Sequence, residues 1–221
     1  MIKAIVFDLD GLLVDSEPAW NQARREIAAE QGIEWNADDH QACMGVSSLA
    51  WAKYMIRRLK LDQSPDQVIS RMIGAMQALY ARQIPYLPGA IEAVDFAARF
   101  GPTGLASGSH RTLIDIVTAD APLRGKFQSV VCSDEVPAGK PAPDVYLRAA
   151  RELGVQAANC VCLEDSANGI LAGKAAGMRV IAVPDHRLPP SQEILRQADV
   201  VLSSLEKFNL DVINSLENRP R

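Results

Sequence analysis

Short, mostly apolar and β-branched runs recur along the chain. They lie at Ile2-Lys3-Ala4-Ile5-Val6-Phe7, Ser129-Val130-Val131-Cys132, Cys160-Val161-Cys162-Leu163, Val180-Ile181-Ala182-Val183 and Val200-Val201-Leu202, with a weaker one at Thr103-Gly104-Leu105-Ala106. Because polar residues do not alternate through them, they predict strands buried on both faces of a parallel sheet. Between most of them apolar residues take helical spacing: Ile91/Val94/Ala98, Leu113/Ile116/Val117, Val145/Leu147/Leu153 and Ile170/Ala175. Gly177 stands where a helix-ending glycine belongs. Strand alternating with helix at this pitch implies right-handed βα units, and so an α/β fold with a parallel sheet between helical layers.

Residues 17–84 break the alternation. Trp20, Ala23, Ile27 and Ala28 recur at helical spacing, as do Leu49, Ala52, Ile56 and Leu59, then Val68, Met72, Ala75, Met76 and Leu79. Ser64-Pro65-Asp66-Gln67 reads as a helix start, with serine as cap, proline at the first turn and glutamine three residues after the cap. The expected organisation is a Rossmann-like three-layer core in two parts, residues 1–16 and 85–221, split by an α-helical cap at 17–84. The connections near Ser16 and at Pro85-Tyr86-Leu87-Pro88-Gly89 are expected to act as hinges for a lid over the end of the first strand.

Composition narrows the partners. The chain has 221 residues, 48% of them hydrophobic, with 23 Lys and Arg against 27 Asp and Glu. That weakly acidic balance offers no field for a polyanion, so nucleic acid is not expected as a partner. The N-terminal apolar run meets Asp8 too early for a signal peptide, and no later stretch approaches a membrane span, so no membrane association and a cytoplasmic location are expected. Cys43, Cys132, Cys160 and Cys162 are too sparse for a disulfide framework and form no CxxC pair. They are expected to be reduced core thiols.

In a doubly wound sheet, chemistry collects at the carboxyl ends of the strands. Asp8 and Asp10 follow the first strand, Ser107 the second, and Lys140 and the pair Glu164-Asp165 follow later ones. Several carboxylates in one cleft repel by about 4 kcal/mol per close pair at an effective dielectric of 20, so a cation must hold them together. All-oxygen ligands favour a hard ion, and few carboxylates plus a phosphate oxygen suit Mg2+ rather than zinc. Lys140, the Ser107 hydroxyl and turn amides would supply donors for a phosphate. Gly139-Lys140 is no nucleotide-binding loop, since Pro141 replaces the needed hydroxyl and no second glycine has the required spacing.

Phe7-Asp8-Leu9-Asp10-Gly11-Leu12-Leu13-Val14-Asp15-Ser16-Glu17-Pro18 resembles the first motif of the haloacid dehalogenase-like superfamily. Ala106-Ser107-Gly108-Ser109, Gly139-Lys140-Pro141-Ala142-Pro143-Asp144 and Leu163-Glu164-Asp165-Ser166-Ala167-Asn168-Gly169-Ile170 resemble its second, third and fourth, in order and across nearly the whole chain. An insertion directly after the first motif is similar to the helical-cap branch, which includes β-phosphoglucomutase and small sugar-phosphate phosphatases. The resemblance implies that Asp8 is the nucleophile that accepts the phosphoryl group, and also a metal ligand. Asp10 would be the general acid and base, binding the metal only through its backbone carbonyl. It further implies that Ser107, Lys140 and the backbone N–H groups of Leu9, Asp10 and Gly108 hold the phosphoryl group. Asp165 and Glu164 would complete the Mg2+ site. An acid at position 10 argues against the dehalogenases of the same superfamily.

The implied activity is hydrolysis of a small phosphorylated metabolite such as a hexose phosphate, with the active site made within one chain and the protein a monomer. The alternatives are a phosphohexomutase and a non-catalytic sugar-phosphate-binding regulator. A mutase of the β-phosphoglucomutase kind carries a histidine shortly after the first motif and basic groups around a Gly-Val-Ser segment. Here Trp20 and Met44-Gly45-Val46-Ser47-Ser48 stand instead. Asp15-Ser16-Glu17-Pro18-Ala19-Trp20 looks like the hexose-phosphate phosphatases, including those acting on 2-deoxyglucose 6-phosphate. Trp20 and Ser109 are the candidate substrate contacts, although core packing inside the cap accounts for Trp20, Trp51 and Met76 more simply. His110 reads as an exposed helix start, Arg111 as a solvated helical residue, and His40 and His186 as surface residues.

Overall fold

A computed structural model describes residues 1–43, 48–187 and 189–218. Met44-Gly45-Val46-Ser47, where the absence of basic groups bears on the mutase alternative, lies outside the described residues. The chain opens with β1 (Ala4–Phe7) and continues through four helices, α1 (Glu17–Glu30), α2 (Ala37–Ala42), α3 (Ser48–Leu59) and α4 (Pro65–Tyr80). Alternation follows: α5 (Ala90–Phe100), β2 (Thr103–Ser107), α6 (Arg111–Ala119), β3 (Ser129–Cys132), α7 (Asp144–Glu152) and β4 (Cys160–Glu164). It ends with α8 (Ala167–Ala175), β5 (Arg179–Ala182), α9 (Gln192–Leu195), β6 (Val200–Val201) and α10 (Leu210–Glu217). Two compact units result, one made of Met1–Asp15 with Pro85–Arg221 and the other of Ser16–Ile84.

The first unit holds one parallel sheet in the order β3-β2-β1-β4-β5-β6. β1 lies between β2 and β4, where the winding direction reverses and the crevice at the strand ends opens. On one face of the sheet Ala4, Val6, Ala106, Val131, Cys160, Cys162, Val180 and Ala182 meet Val145, Tyr146 and Ala149 of α7 and Ile170 and Ala172 of α8. On the other, α5 packs over β1 and β2, and Phe208 stands edge-on to both Phe7 (6.2 Å) and Phe96 of α5 (5.3 Å). Apolar cover on both faces explains why β1, β2 and β4 are buried at every position.

The helical patterns exist where the sequence puts them, but the sheet selects a different stripe from each. α7 buries Val145, Tyr146, Ala149 and Ala150 and leaves Leu147 45% exposed, contrary to the expected pairing of Leu147 with Val145. Two residues along a helix turn the side chain about 200°, so the two cannot share one face. α6 buries Ile114 in preference to Ile116, and α5 buries Ala90, Ala93, Val94 and Ala97 where Ile91 and Ala98 were expected. In α8, Gly169, Ile170, Ala172 and Gly173 face inward and Ala175 is exposed. Small residues let a helix approach the sheet closely, and hydrophobicity alone does not rank them first.

In the second unit α3 and α1 pack against α4, with Trp51, Met55, Leu59, Met72 and Met76 buried. Ser64 and Gln67 form the expected capping box, each side chain accepting from the other's backbone N–H. Buried Asp39 accepts from the Tyr54 hydroxyl (2.7 Å), Arg58 Nε (2.7 Å) and the Asn36 amide (3.1 Å). His40 is not the surface residue expected. It is half-buried between Arg24 and Glu17, with Nδ1 3.2 Å from Arg24 and Nε2 3.4 Å from Glu17. His186 is exposed. Within the first unit the segments that lead to and from the helices run side by side: Asp15 N donates to Pro85 O (2.8 Å), Leu87 N to Leu13 O (3.0 Å), and Val14 bridges Tyr86. No helix among the described residues is long and apolar enough to cross a membrane.

Candidate active site

The crevice forms because β1 stops at an acid. Asp8 continues the ladder with one bond, its N–H donating to Leu163 O (3.1 Å), and its side chain is turned into the protein at 5% exposure. Lys140 comes from the loop between β3 and α7 and donates to Asp8 Oδ1 (2.5 Å), Ala106 O (2.9 Å) and Glu164 Oε1 (2.5 Å). Glu164 ends β4 and is fully buried. Its Oε1 also accepts from the Tyr146 hydroxyl (2.6 Å), and its Oε2 from the Ser166 hydroxyl (3.1 Å) and amide (3.4 Å). Two strand ends 156 residues apart in sequence, at Asp8 and Glu164, are thereby joined through one ammonium from a loop 132 residues beyond the first and 24 before the second.

Asp10 faces a different set. Its Oδ2 accepts from Ser109 Oγ (2.5 Å) and, at 3.3 Å, from Ser107 Oγ, while Ser107 Oγ accepts from Ser109 N (3.0 Å). Ser109, expected as a substrate contact, is thus tied to the second acid of the first motif. The turn that carries Asp10 is closed by Gly11 N donating to Val14 O (2.8 Å), and the N–H groups of Leu9, Asp10 and Gly108 have no acceptor among the described residues.

Two glycines make room for the acids. Gly11 has φ +78°, and a Cβ there would lie 2.2 Å from Asp165 Oδ2. A Cβ on Gly169 would lie 1.8 Å from Glu164 Cδ. Neither glycine is a candidate ligand, so chemistry-based reading passes over them; their place inside the first and fourth motifs is the signal available.

Carboxylate oxygens of Asp8, Glu164 and Asp165 lie within 4.8 Å of one another. Burial pushes Asp8 up to about 8, with Glu164 and Asp10 adding to the rise and Lys140 opposing it. Burial, then Asp8 and Glu164, hold Asp165 well above the carboxylate range. Lys140 is raised although burial opposes it, because Asp8 and Glu164 favour its charge. One ammonium among three close acids leaves excess negative charge, which is what a bound divalent cation would neutralise. The donors are all oxygen, with no His or Cys in the cluster, and fit a hard cation. The Asp10 side chain is directed to the serines and is not part of the cluster.

Tyr146 was not singled out from sequence. It is fully buried on α7, with its hydroxyl on Glu164 and its ring under Lys140, whose Nζ lies 5.1 Å from the ring centroid. A tyrosine six residues after the lysine reads as core, and only the fold brings it beneath the site. Arg111 is occupied by Asp115, Glu135 and Val130 O, and His110 caps α6 by accepting from Thr112 N (3.3 Å). Trp20 lies on α1 of the helical unit, against Trp51 (6.0 Å) and under the Arg24 guanidinium (5.7 Å). The four cysteines are free and buried.

Residues 2–177 match the family of haloacid dehalogenase-like hydrolases. Hexitol phosphatase B of Escherichia coli (strain K12) is 37% identical over 212 residues, covering 94% of each chain. Fructose-1-phosphate phosphatase YqaB of the same organism is 30% identical over 179 residues, 81% of this chain and 95% of that one. Among solved structures, CbbY from Rhodobacter sphaeroides in complex with phosphate has a TM-score of 0.83 at 27% identity, covering 94% of this chain and 96% of that one.

Proposed function

From the premise that the chain belongs to the haloacid dehalogenase-like hydrolases and is a phosphoric monoester hydrolase, we propose that it dephosphorylates a small sugar or sugar-alcohol phosphate through an aspartyl phosphate at Asp8. The observation that carries the mechanism is a buried Asp8 with one oxygen held by Lys140, two further acids beside it, and a second carboxylate, Asp10, held apart by serine hydroxyls. The named hexitol and fructose phosphatases support the substrate class.

In the first transfer a free Asp8 oxygen attacks phosphorus. Asp10 gives its proton to the departing sugar oxygen as the ester P–O bond breaks. In the second, Asp10 takes a proton from water, which attacks the same phosphorus and breaks the bond to Asp8. Inorganic phosphate leaves and the carboxylate is restored. Lys140, Ser107 and the N–H groups of Leu9, Asp10 and Gly108 hold the phosphoryl oxygens and stabilise charge as it develops. Asp8, Glu164, Asp165 and the Asp10 carbonyl would hold Mg2+, which supplies further neutralisation of the phosphoryl charge. Lys140 opposes the rise that burial imposes on Asp8, and a cation bound beside it would oppose that rise further, favouring the ionised carboxylate that attacks. Residues 17–84 serve as the cap, with its hinges near Ser16 and at Pro85–Gly89. Under this reading one chain supplies every catalytic group, so activity does not require a second copy.

Asp8→Asn removes the nucleophile while keeping shape, so release of p-nitrophenol from p-nitrophenyl phosphate should fall by at least about a thousandfold in a folded protein. A folded, active variant overturns the assignment. A panel of hexose and hexitol phosphates, scored as kcat/KM for phosphate release, identifies the substrate. Isomerised sugar phosphate in place of inorganic phosphate would favour the mutase.

A further inference from the structure

We infer that Tyr146 is a positioning residue for the reaction, holding the Glu164–Lys140 pair in the geometry that keeps the ammonium on Asp8. The inference rests on the phosphatase reading for the roles of Asp8 and Lys140, and on contacts of Tyr146 itself for the rest. Tyr146 is fully buried, and its hydroxyl has one acceptor, Glu164 Oε1, at 2.6 Å. The same oxygen accepts from Lys140 at 2.5 Å. A hydrogen bond to a carboxylate is shorter and roughly twice as strong as a neutral one. Two donors converging on one oxygen fix the plane of the Glu164 carboxylate, and Ser166 holds its other oxygen from the opposite side.

The ring acts separately from the hydroxyl. Lys140 Nζ lies 5.1 Å from the ring centroid, within the range of a cation–π contact. The three hydrogens of the ammonium are directed to Asp8, Ala106 O and Glu164. A flexible lysine thus has its charge located by three acceptors and an aromatic face. Only one of those acceptors, Glu164, is itself located by another side chain from the α7 wall. The hydroxyl therefore matters to where Lys140 sits although it touches neither the phosphoryl site nor Asp8. Packing alone would not call for a hydroxyl at this place, since the side chains that α7 buries beside Tyr146 (Val145, Ala149 and Ala150) are apolar.

Tyr146→Phe keeps the ring and removes the donor. With Mg2+ saturating and p-nitrophenyl phosphate as substrate, kcat is expected to fall fivefold or more with KM within twofold of wild type. Because Glu164 belongs to the acid cluster, the Mg2+ dissociation constant measured by calorimetry without substrate should rise at least threefold. The melting temperature should stay within a few degrees. A Tyr146→Phe variant with kcat and Mg2+ affinity both within twofold of wild type overturns the inference. Tyr146→Leu, lacking ring and hydroxyl, separates positioning from packing: if it alone loses activity, in step with its melting temperature, the residue is core filling and the inference fails. Absence of phosphate release by the wild type would refute the phosphatase reading instead, and the Mg2+ titration of the two proteins still decides the role of Tyr146.

Discussion

At the scale of single residues, the acids were legible because charged groups at the ends of buried strands have few structural reasons to be there, and the lysine because it stands in a contiguous motif, Gly139-Lys140-Pro141. Asp8, Lys140, Glu164 and Asp165 converge within hydrogen-bonding or ion-binding reach. The residues that shape their surroundings were not legible, since glycine and tyrosine in an apolar context read as packing. Gly169 makes the point measurable. Helix propensity alone predicts that Gly169→Ala stabilises an α-helix by about 0.5–1 kcal/mol. The new Cβ would fall 1.8 Å from Glu164 Cδ, and this carboxylate is buried and hydrogen-bonded at both oxygens, so it has nowhere to retreat. Overpacking dominates, and the variant should lose about 1–3 kcal/mol in urea unfolding, together with tenfold or more in kcat. Unchanged or increased stability would show that Glu164 can move aside.

At the scale of elements, positions of strands and helices followed from periodicity, whereas the buried stripe did not. Tyr146 and Leu147 are adjacent and both apolar enough to be core; rotation of α7 on the sheet buries the first and exposes the second. A similar gap appears in the helical unit, where Asp39 and His40 look like a polar helix surface but Asp39 is buried. Burial would raise Asp39, and hydrogen bonds from Tyr54, the Asn36 amide and Arg58 outweigh it, so its carboxyl lies below the ordinary value of 3.8. A depressed folded pKa means that the unfolded chain binds the proton more readily. The contribution of Asp39 is therefore full above pH 3.8 and is lost as pH falls through the folded value. Asp39→Asn should cost about 1–3 kcal/mol near neutral pH. The gap in melting temperature between variant and wild type should begin to close below pH 3.8; a gap independent of pH would remove the charge from the explanation.

At the scale of the whole molecule, one surplus of negative charge ties fold to chemistry. Parallel winding brings the ends of β1 and β4 together, so Asp8, Glu164 and Asp165 cannot avoid one another, and Lys140 offsets only part of their charge. Mg2+ binding to the folded protein should then stabilise it by about 2.7 kcal/mol at a hundredfold excess over the dissociation constant, and chelation should abolish phosphate release. Melting curves and activity that ignore both treatments would exclude a cation from the cluster. The order of apolar runs and helical patterns determined, without the fold, that the chain is α/β with a helical stretch inserted after the first strand, because burial on two faces leaves a one-dimensional signature. The four motifs determined the family for the same kind of reason, since each is a contiguous run of residues. Which stripe of each helix is buried, that Ser109 holds Asp10, that Gly11 and Gly169 yield space to acids, and that Tyr146 lies beneath Lys140 were decided only in three dimensions. Each depends on a distance between residues far apart in the chain, and such distances are set by packing, which local sequence does not encode.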